Sequence, residues 1–207
     1  MILSINSWHT EVAKLGLQCW VICSIAFCAT HVLAQTEPVH NPKLLAALDR
    51  KVAALKMHLN SRVVFEAIAV SNEQYAGQAK QHFLKLDRKW RATKDIDDFK
   101  KSYLTNPCSE HLLNFQEEDD SFVEVFITDA QGLNACQTNV TSDMYQADEG
   151  WWQGCFASGK GKQSYSDVDF DESAGSQAIS AYIPIHQDGK LVGITKAVID
   201  VTSLKLS

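Results

Sequence analysis

Two adjacent tryptophans, Trp151 and Trp152, are the residues of this 207-residue chain whose type and placement most demand a chemical explanation. Successive side chains on a helix point about 100° apart, so one indole can enter a core while its neighbour faces a cavity. An exposed Trp is costly unless it serves a pocket or a partner. Acidic residues gather on both sides of the pair: Asp143, Asp148 and Glu149 before it, and Asp167, Asp169, Asp171 and Glu172 after it. Aromatic walls with a few fixed carboxylates suit a small amine-bearing or cationic solute. Asp167-Val168-Asp169-Phe170-Asp171 echoes the alternation of a calcium-binding loop. The glycine and terminal bidentate Glu of that loop are missing, which leaves a solvated acidic loop.

Catalytic signatures are weaker still. Gly154 to Lys160 matches a phosphate-binding loop, but Gly161 stands where a Ser or Thr should hold magnesium, and the segment follows a helix instead of opening one. There is no G-x-S-x-G elbow and no H-E-x-x-H, and the seven histidines are scattered singly. The sequence therefore predicts a protein that is not an enzyme, with no metal and no cofactor. With 19 Lys+Arg against 25 Asp+Glu and a net charge of −6, it lacks the basic face that nucleic acid requires. Its 45% hydrophobic and 9% aromatic content excludes a chain too polar to collapse.

Lys14 precedes an apolar run from Leu15 to Ala29, and Val32 and Ala34 occupy the small-residue positions of a cleavage site. Residues 1–34 thus read as a secretory signal peptide, 35–42 as a leader, and 43–207 as one domain placed in the periplasm or another extracytoplasmic space. The rival is an N-terminal membrane anchor, since Leu15 to Ala34 is just long enough to span a bilayer; His31 and the cleavage site weigh against it. Cys19, Cys23 and Cys28 leave with the signal, so Cys108, Cys136 and Cys155 remain and at most one internal disulfide forms. Spacing does not choose among the three pairs. Asn139-Val140-Thr141 is a glycosylation sequon only in a eukaryotic source.

The elements that must carry these residues can be read from periodicity. Asn41-Pro42 caps a helix whose stripe is Leu45, Leu48, Val52, Leu55 and Leu59, continuing through Val63, Val64 and Ile68 as one long helix. Its three-four spacing also suits pairing with a twin, hence a homodimer through this helix. A polar helical region covers roughly Gln74 to Tyr103 and is broken by Asn106-Pro107. Phe122–Thr128 and Leu133–Thr138 form a hairpin across Asp129 to Gly132; Asp148–Phe156 is a short helix; Gln163–Val168 is extended. Gln177–Ile183 and Lys190–Val201 flank a Gln187-Asp188-Gly189 turn. The fold class is α+β: a long N-terminal helix and a central antiparallel sheet of about five strands with one inserted helix.

In order and spacing these residues resemble the extracytoplasmic Cache (PDC-type, PAS-like) sensor domains of bacterial receptors. The matching pieces are Thr128-Asp129-x-x-Gly132, Ser142-Asp143, Asp148-Glu149, Trp151-Trp152, Asp171-Glu172-Ser173, Ile183-Pro184-Ile185, and Asp188-Gly189-Lys190 with Val192-Gly193. The likeness covers about residues 43–202 and is most specific from 122 to 200. It implies a ligand pocket between the sheet and the segments around the inserted helix. Trp151 and Trp152 would be the aromatic pocket helix. Tyr165, Asp169, Asp171 and Ser173 would supply polar contacts, and Asp143, Gln146 and Asp148 would sit at the rim or buttress it.

The resemblance also implies a non-enzymatic sensor for a small molecule: an amino acid or amine, or an organic acid if Arg62, Lys80, Arg88 and Arg91 face the pocket. Members of that family normally continue into a transmembrane helix and a cytoplasmic module. Here Asp200 to Ser207 closes the sequence, so the output is expected on a separate receptor or kinase. The alternative function is a ligand-free adaptor docking through the Leu45–Leu59 stripe.

Overall fold

The computed structural model describes residues 41–172 and 175–206. The expected signal peptide, residues 1–34, and residues 35–40 of the expected leader fall outside the described residues, as does Ser173. Among the described residues no helix is long and apolar enough to cross a membrane.

Among the described residues six α-helices and six β-strands follow in the order α1 Pro42–Leu59, α2 Arg62–Tyr75, α3 Lys80–Ala92, α4 Asp98–Leu104, α5 Pro107–Glu118, β1 Phe122–Asp129, β2 Asn134–Gln137, α6 Gly150–Phe156, β3 Ser164–Tyr165, β4 Asp169–Asp171, β5 Ser176–Gln187 and β6 Lys190–Asp200. The fold is α+β, as the periodicity predicts. Asn41 starts α1 by accepting the Lys43 amide at 3.0 Å, with Pro42 in the first turn. Two helix boundaries differ from expectation. The expected long helix breaks at Asn60-Ser61, where Ser61 adopts an extended conformation and α2 restarts. Both residue types favour termini over interiors, because their side chains compete for backbone hydrogen bonds. Asn106-Pro107 also does more than end a helix. It begins α5, with Asn106 accepting the Ser109 amide at 2.9 Å, the same device that starts α1.

The sheet is antiparallel throughout, with strand order β2-β1-β6-β5-β3 and β4 also paired to β5. Asp188 and Gly189 turn β5 into β6 with φ of 50° and 76°, the positive values that a tight two-residue hairpin requires. The β1–β2 turn is organised by Asp129. Its buried carboxylate accepts the amides of Gln131 and Leu133, each at 2.9 Å, and the Ser71 hydroxyl of α2 at 2.8 Å. Gly132 ends that turn at φ 87°, and a Cβ there would lie 2.4 Å from Ala147 Cβ, so no other residue fits.

Because alternate strand residues face opposite sides, the register divides the sheet cleanly. One face presents Val125, Ile127, Ile179, Ala181, Ile183, Ala197 and Ile199 to α1, α2 and α5, forming the main core. The α1 residues Leu48, Val52, Leu55 and Leu59 are all buried in this core. The stripe that suggested a twin or docking helix is therefore spent within the chain. Cys108 of α5 is bonded to Cys136 of β2, with Cα atoms 5.8 Å apart, and among the described residues Cys155 is the free cysteine.

Candidate ligand-binding site

The opposite face of the sheet carries a different set of residues. Two rungs cross its centre: Phe126–Lys196–Tyr182, and beside it Glu124–Val198–Ser180. Helix α6 lies over the first rung. Trp151 stacks on Tyr182 with ring centroids 5.1 Å apart and planes 16° from parallel, and meets Phe126 edge-on at 6.0 Å. The Lys196 ammonium stands 5.7 Å from the Trp151 ring centroid and 5.8 Å from that of Phe126, a cation–π position against both.

Two cavities open on either side of this aromatic bridge. One, of about 450 Å³, is lined by Glu124, Phe126, Thr141, Gln146 and Lys196 among others. The other, of about 490 Å³, is lined by Asp169, Asp171, Ser180, Tyr182 and Val198. Each has the size of a small-molecule site. Burial pushes the Glu124 carboxyl above the usual carboxylate range; Lys196 opposes that rise and Asp171 adds to it. Glu124 therefore feels both of those charges across the sheet floor. An ammonium and two carboxylates beneath an aromatic wall can hold both ends of a zwitterion while the wall covers its body.

The wall of the first cavity, residues 141–146, is gripped from behind by α3. Trp90 Nε1 donates to the Thr141 carbonyl at 2.9 Å. Asp87 accepts the Met144 and Tyr145 amides at 3.0 and 3.2 Å, and Arg91 donates to Asp87 at 2.7 Å and to Asp143 at 3.2 Å. Gln146 donates to the Asp143 carbonyl at 3.0 Å and also to its carboxylate. Its amide hydrogens are thus committed to Asp143, which orients the rest of the group towards the cavity it lines.

The structure sorts the residues singled out in the sequence. Gln146 lines the first cavity and Asp169 and Asp171 line the second. Trp151 lines neither, but its ring meets Phe126 of the first and Tyr182 of the second. Trp152 turns inward: its Nε1 donates to Thr128 Oγ1 at 3.0 Å and its ring stacks on Phe156, so it anchors α6. Asp143 is a buried strut behind the wall, not a rim residue. Asp148 is exposed just ahead of α6 and lines neither cavity. Tyr165 is on the wrong face. It pairs with Ala181 of the core side, and its hydroxyl donates to Asp49 of α1 at 2.7 Å, because the strand alternation turns it towards the helices.

None of Arg62, Lys80, Arg88 and Arg91 lines either cavity; Arg62 pairs with Glu66 at 3.4 Å, and Arg91 is held by Asp87 and Asp143. The cation of the site is Lys196, which the sequence reading passed over together with Glu124, Phe126 and Tyr182. Alternation along β1 and β6 places Glu124, Phe126 and Lys196 on one face, and that signal was available. Among the described residues no cluster of three or more His, Cys, Asp or Glu is arranged to hold a metal ion.

No protein-family profile matches the chain, and no curated protein matches it. Solved structures do align with it. The sensor domain of the V. cholerae histidine kinase DctB aligns at TM-score 0.36 and 14% identity, covering 76% of this chain and 57% of that one. The ligand-binding domain of the Pseudomonas aeruginosa amino acid chemoreceptor PctC, solved with GABA, aligns at TM-score 0.32 and 13% identity, covering 63% and 59%. The sensory domain of the Campylobacter jejuni chemoreceptor Tlp3, solved with isoleucine, aligns at 0.37 and 14%, covering 79% and 66%. The chain thus spans less than two thirds of each of these solved domains. Such scores transfer no ligand and no partner. The solved domains to which the chain is similar are the sensor domain of a histidine kinase and the ligand-binding or sensory domains of two chemoreceptors.

Proposed function

We propose that this chain is an extracytoplasmic, non-enzymatic domain that binds a small zwitterion or cation, an amino acid or amine, and passes its occupancy to a membrane receptor or kinase on another chain. In this reading residues 1–34 direct export and are removed. The observation that carries it is the convergence of the Trp151–Tyr182 stack with Lys196 and Glu124 on adjacent rungs of an open sheet face. Lys196 takes a ligand carboxylate, Glu124 and the acidic β4 strand take its ammonium, and Trp151 covers the carbon frame.

Titration calorimetry against the twenty amino acids, primary amines and dicarboxylates tests this. At least one amino acid or amine is expected to bind saturably, and Trp151→Ala to weaken it by about tenfold or more. Lys196→Ala should discriminate against carboxylate-bearing ligands while sparing simple amines. Absence of saturable binding across the whole panel would sink the reading, as would a Trp151→Ala variant with unchanged affinity. The adaptor alternative loses its docking surface, since Leu48, Val52, Leu55 and Leu59 are buried in the chain's own core.

A further inference from the structure

Gln146 is held more firmly than any other polar group lining the first cavity. It is 4% exposed, and its backbone amide donates to the Gly132 carbonyl at 2.7 Å, which pins it to the β1–β2 turn. Its side-chain nitrogen meets two oxygens of Asp143, the backbone carbonyl at 3.0 Å and the carboxylate. A backbone carbonyl can only accept, so the amide has one orientation: Nε2 towards Asp143 and Oε1 away from it. Arg91 holds the Asp143 carboxylate in turn, at 3.2 Å. Among the described residues no donor meets Gln146 Oε1, and the side chain lines the cavity.

The neighbouring hydroxyl and amide oxygens of that wall are already engaged. Thr141 Oγ1 donates to the Asp143 carbonyl at 2.6 Å and accepts from Asn134 at 2.7 Å, and Asn139 Oδ1 accepts from Thr138 at 2.7 Å. Glu124, on the floor of the same cavity, makes no hydrogen bond or ion pair with a described residue, Lys196 included. The cavity therefore offers a cation two uncommitted acceptors, one neutral and one anionic. A positive charge alone is served by Glu124 and by the face of Phe126, since cation–π attraction asks for no N–H. The neutral amide oxygen is more demanding. It makes a charge-assisted hydrogen bond to an ammonium N–H, whereas a methylated nitrogen gives it no donor and shuts it off from water.

We propose that Gln146 is a specificity-determining residue of the sheet-face site: its Oε1 and the Glu124 carboxylate each accept an N–H of the ligand, so the site takes primary ammonium compounds and rejects their quaternary analogues. The inference rests on the sheet-face reading of the function and narrows its ligand class. Asp143 and Arg91 are then positioning residues, which act by fixing the orientation of the Gln146 amide.

Calorimetric titrations of three matched pairs test it: glycine with glycine betaine, leucine with N,N,N-trimethylleucine, and butylamine with butyltrimethylammonium. In the parent chain the primary member of a pair is expected to bind at least about tenfold tighter, the worth of one hydrogen bond to a charged group. Gln146→Met keeps the length of the side chain and removes the acceptor, and should cut that preference by about tenfold. A wall merely loosened by the substitution would weaken both members alike and leave their ratio unchanged, so the ratio separates recognition from packing. The parent comparison stands even where Gln146→Met fails to fold. Quaternary members that bind as tightly as their primary partners overturn the inference and leave the sheet-face site intact, as does an unchanged ratio in Gln146→Met. Absence of binding by all six compounds counts against the sheet-face site itself and takes this inference with it.

Discussion

At the scale of single residues, the two adjacent tryptophans divide the labour of α6. Trp152 spends its indole N–H on Thr128 and holds the helix down, while Trp151 stacks on Tyr182 between the two cavities. Glu124 carries the sharpest consequence. Burial raises its pKa, so the ionised form that an ammonium ligand needs is lost as pH falls through a value above that of an ordinary Glu. Affinity for an amine should therefore begin to fall at a higher pH than an exposed carboxylate would allow, and Glu124→Gln should bind about tenfold more weakly with that pH dependence flattened. Stability has the opposite sign. A raised carboxyl stabilises the fold below its unfolded pKa and loses that contribution as pH rises through the folded value. Glu124→Gln should thus melt higher than the parent at neutral pH while binding worse, and calorimetric melts and titrations at several pH values measure both. Cys155 has no comparable role, since burial leaves the thiol fully covered and pushes its pKa up to about 11.

At the scale of elements, α3 decides the shape of the first cavity without lining it. Asp87 is the hub: one carboxylate oxygen takes two backbone amides of the 141–146 segment and the other takes Arg91, which reaches on to Asp143. Asp87→Ala would leave those amides unpaired in a buried setting, a cost of about 3 kcal/mol in denaturant melts. It should also release Gln146 and lower ligand affinity through a looser wall. Asp87→Asn, which keeps an acceptor for the amides but loses the charge for Arg91, should recover part of both. A variant that loses stability with intact affinity would show that the wall needs no such support. Little of this was legible in the sequence. The hydrophobic stripe of α1, the β5–β6 hairpin and the short α6 follow from local periodicity and turn chemistry. The Asn60-Ser61 break and the start of α5 were written in cap residues that the longer apolar pattern obscured.

At the scale of the whole molecule, the sheet separates two environments: a sealed core under α1, α2 and α5, and an open face that carries aromatic and charged side chains. The Cys108–Cys136 bond ties the helical layer to the edge strand β2 across 28 residues. In the loop-entropy account it contributes about 3 to 4 kcal/mol, so reduction should lower the melting temperature markedly, which melts with and without dithiothreitol would measure. A shift of only a degree or two would mean that α5 and β2 stay together without it.

What the sequence determined by itself is whatever depends on neighbours along the chain: helix and strand types, the two hairpin turns, and the presence of an aromatic and acidic cluster around residues 143–171. Tertiary structure alone decided which of those residues meet. Strand alternation sent Tyr165 to the helical side and brought Lys196 and Glu124, some seventy residues apart, to neighbouring rungs beside Trp151. It likewise selected one disulfide from three possible pairs. The reason is physical: a side chain's face follows from local period, but its partners follow from the register of strands and the packing of helices, and those are settled only when the whole core closes.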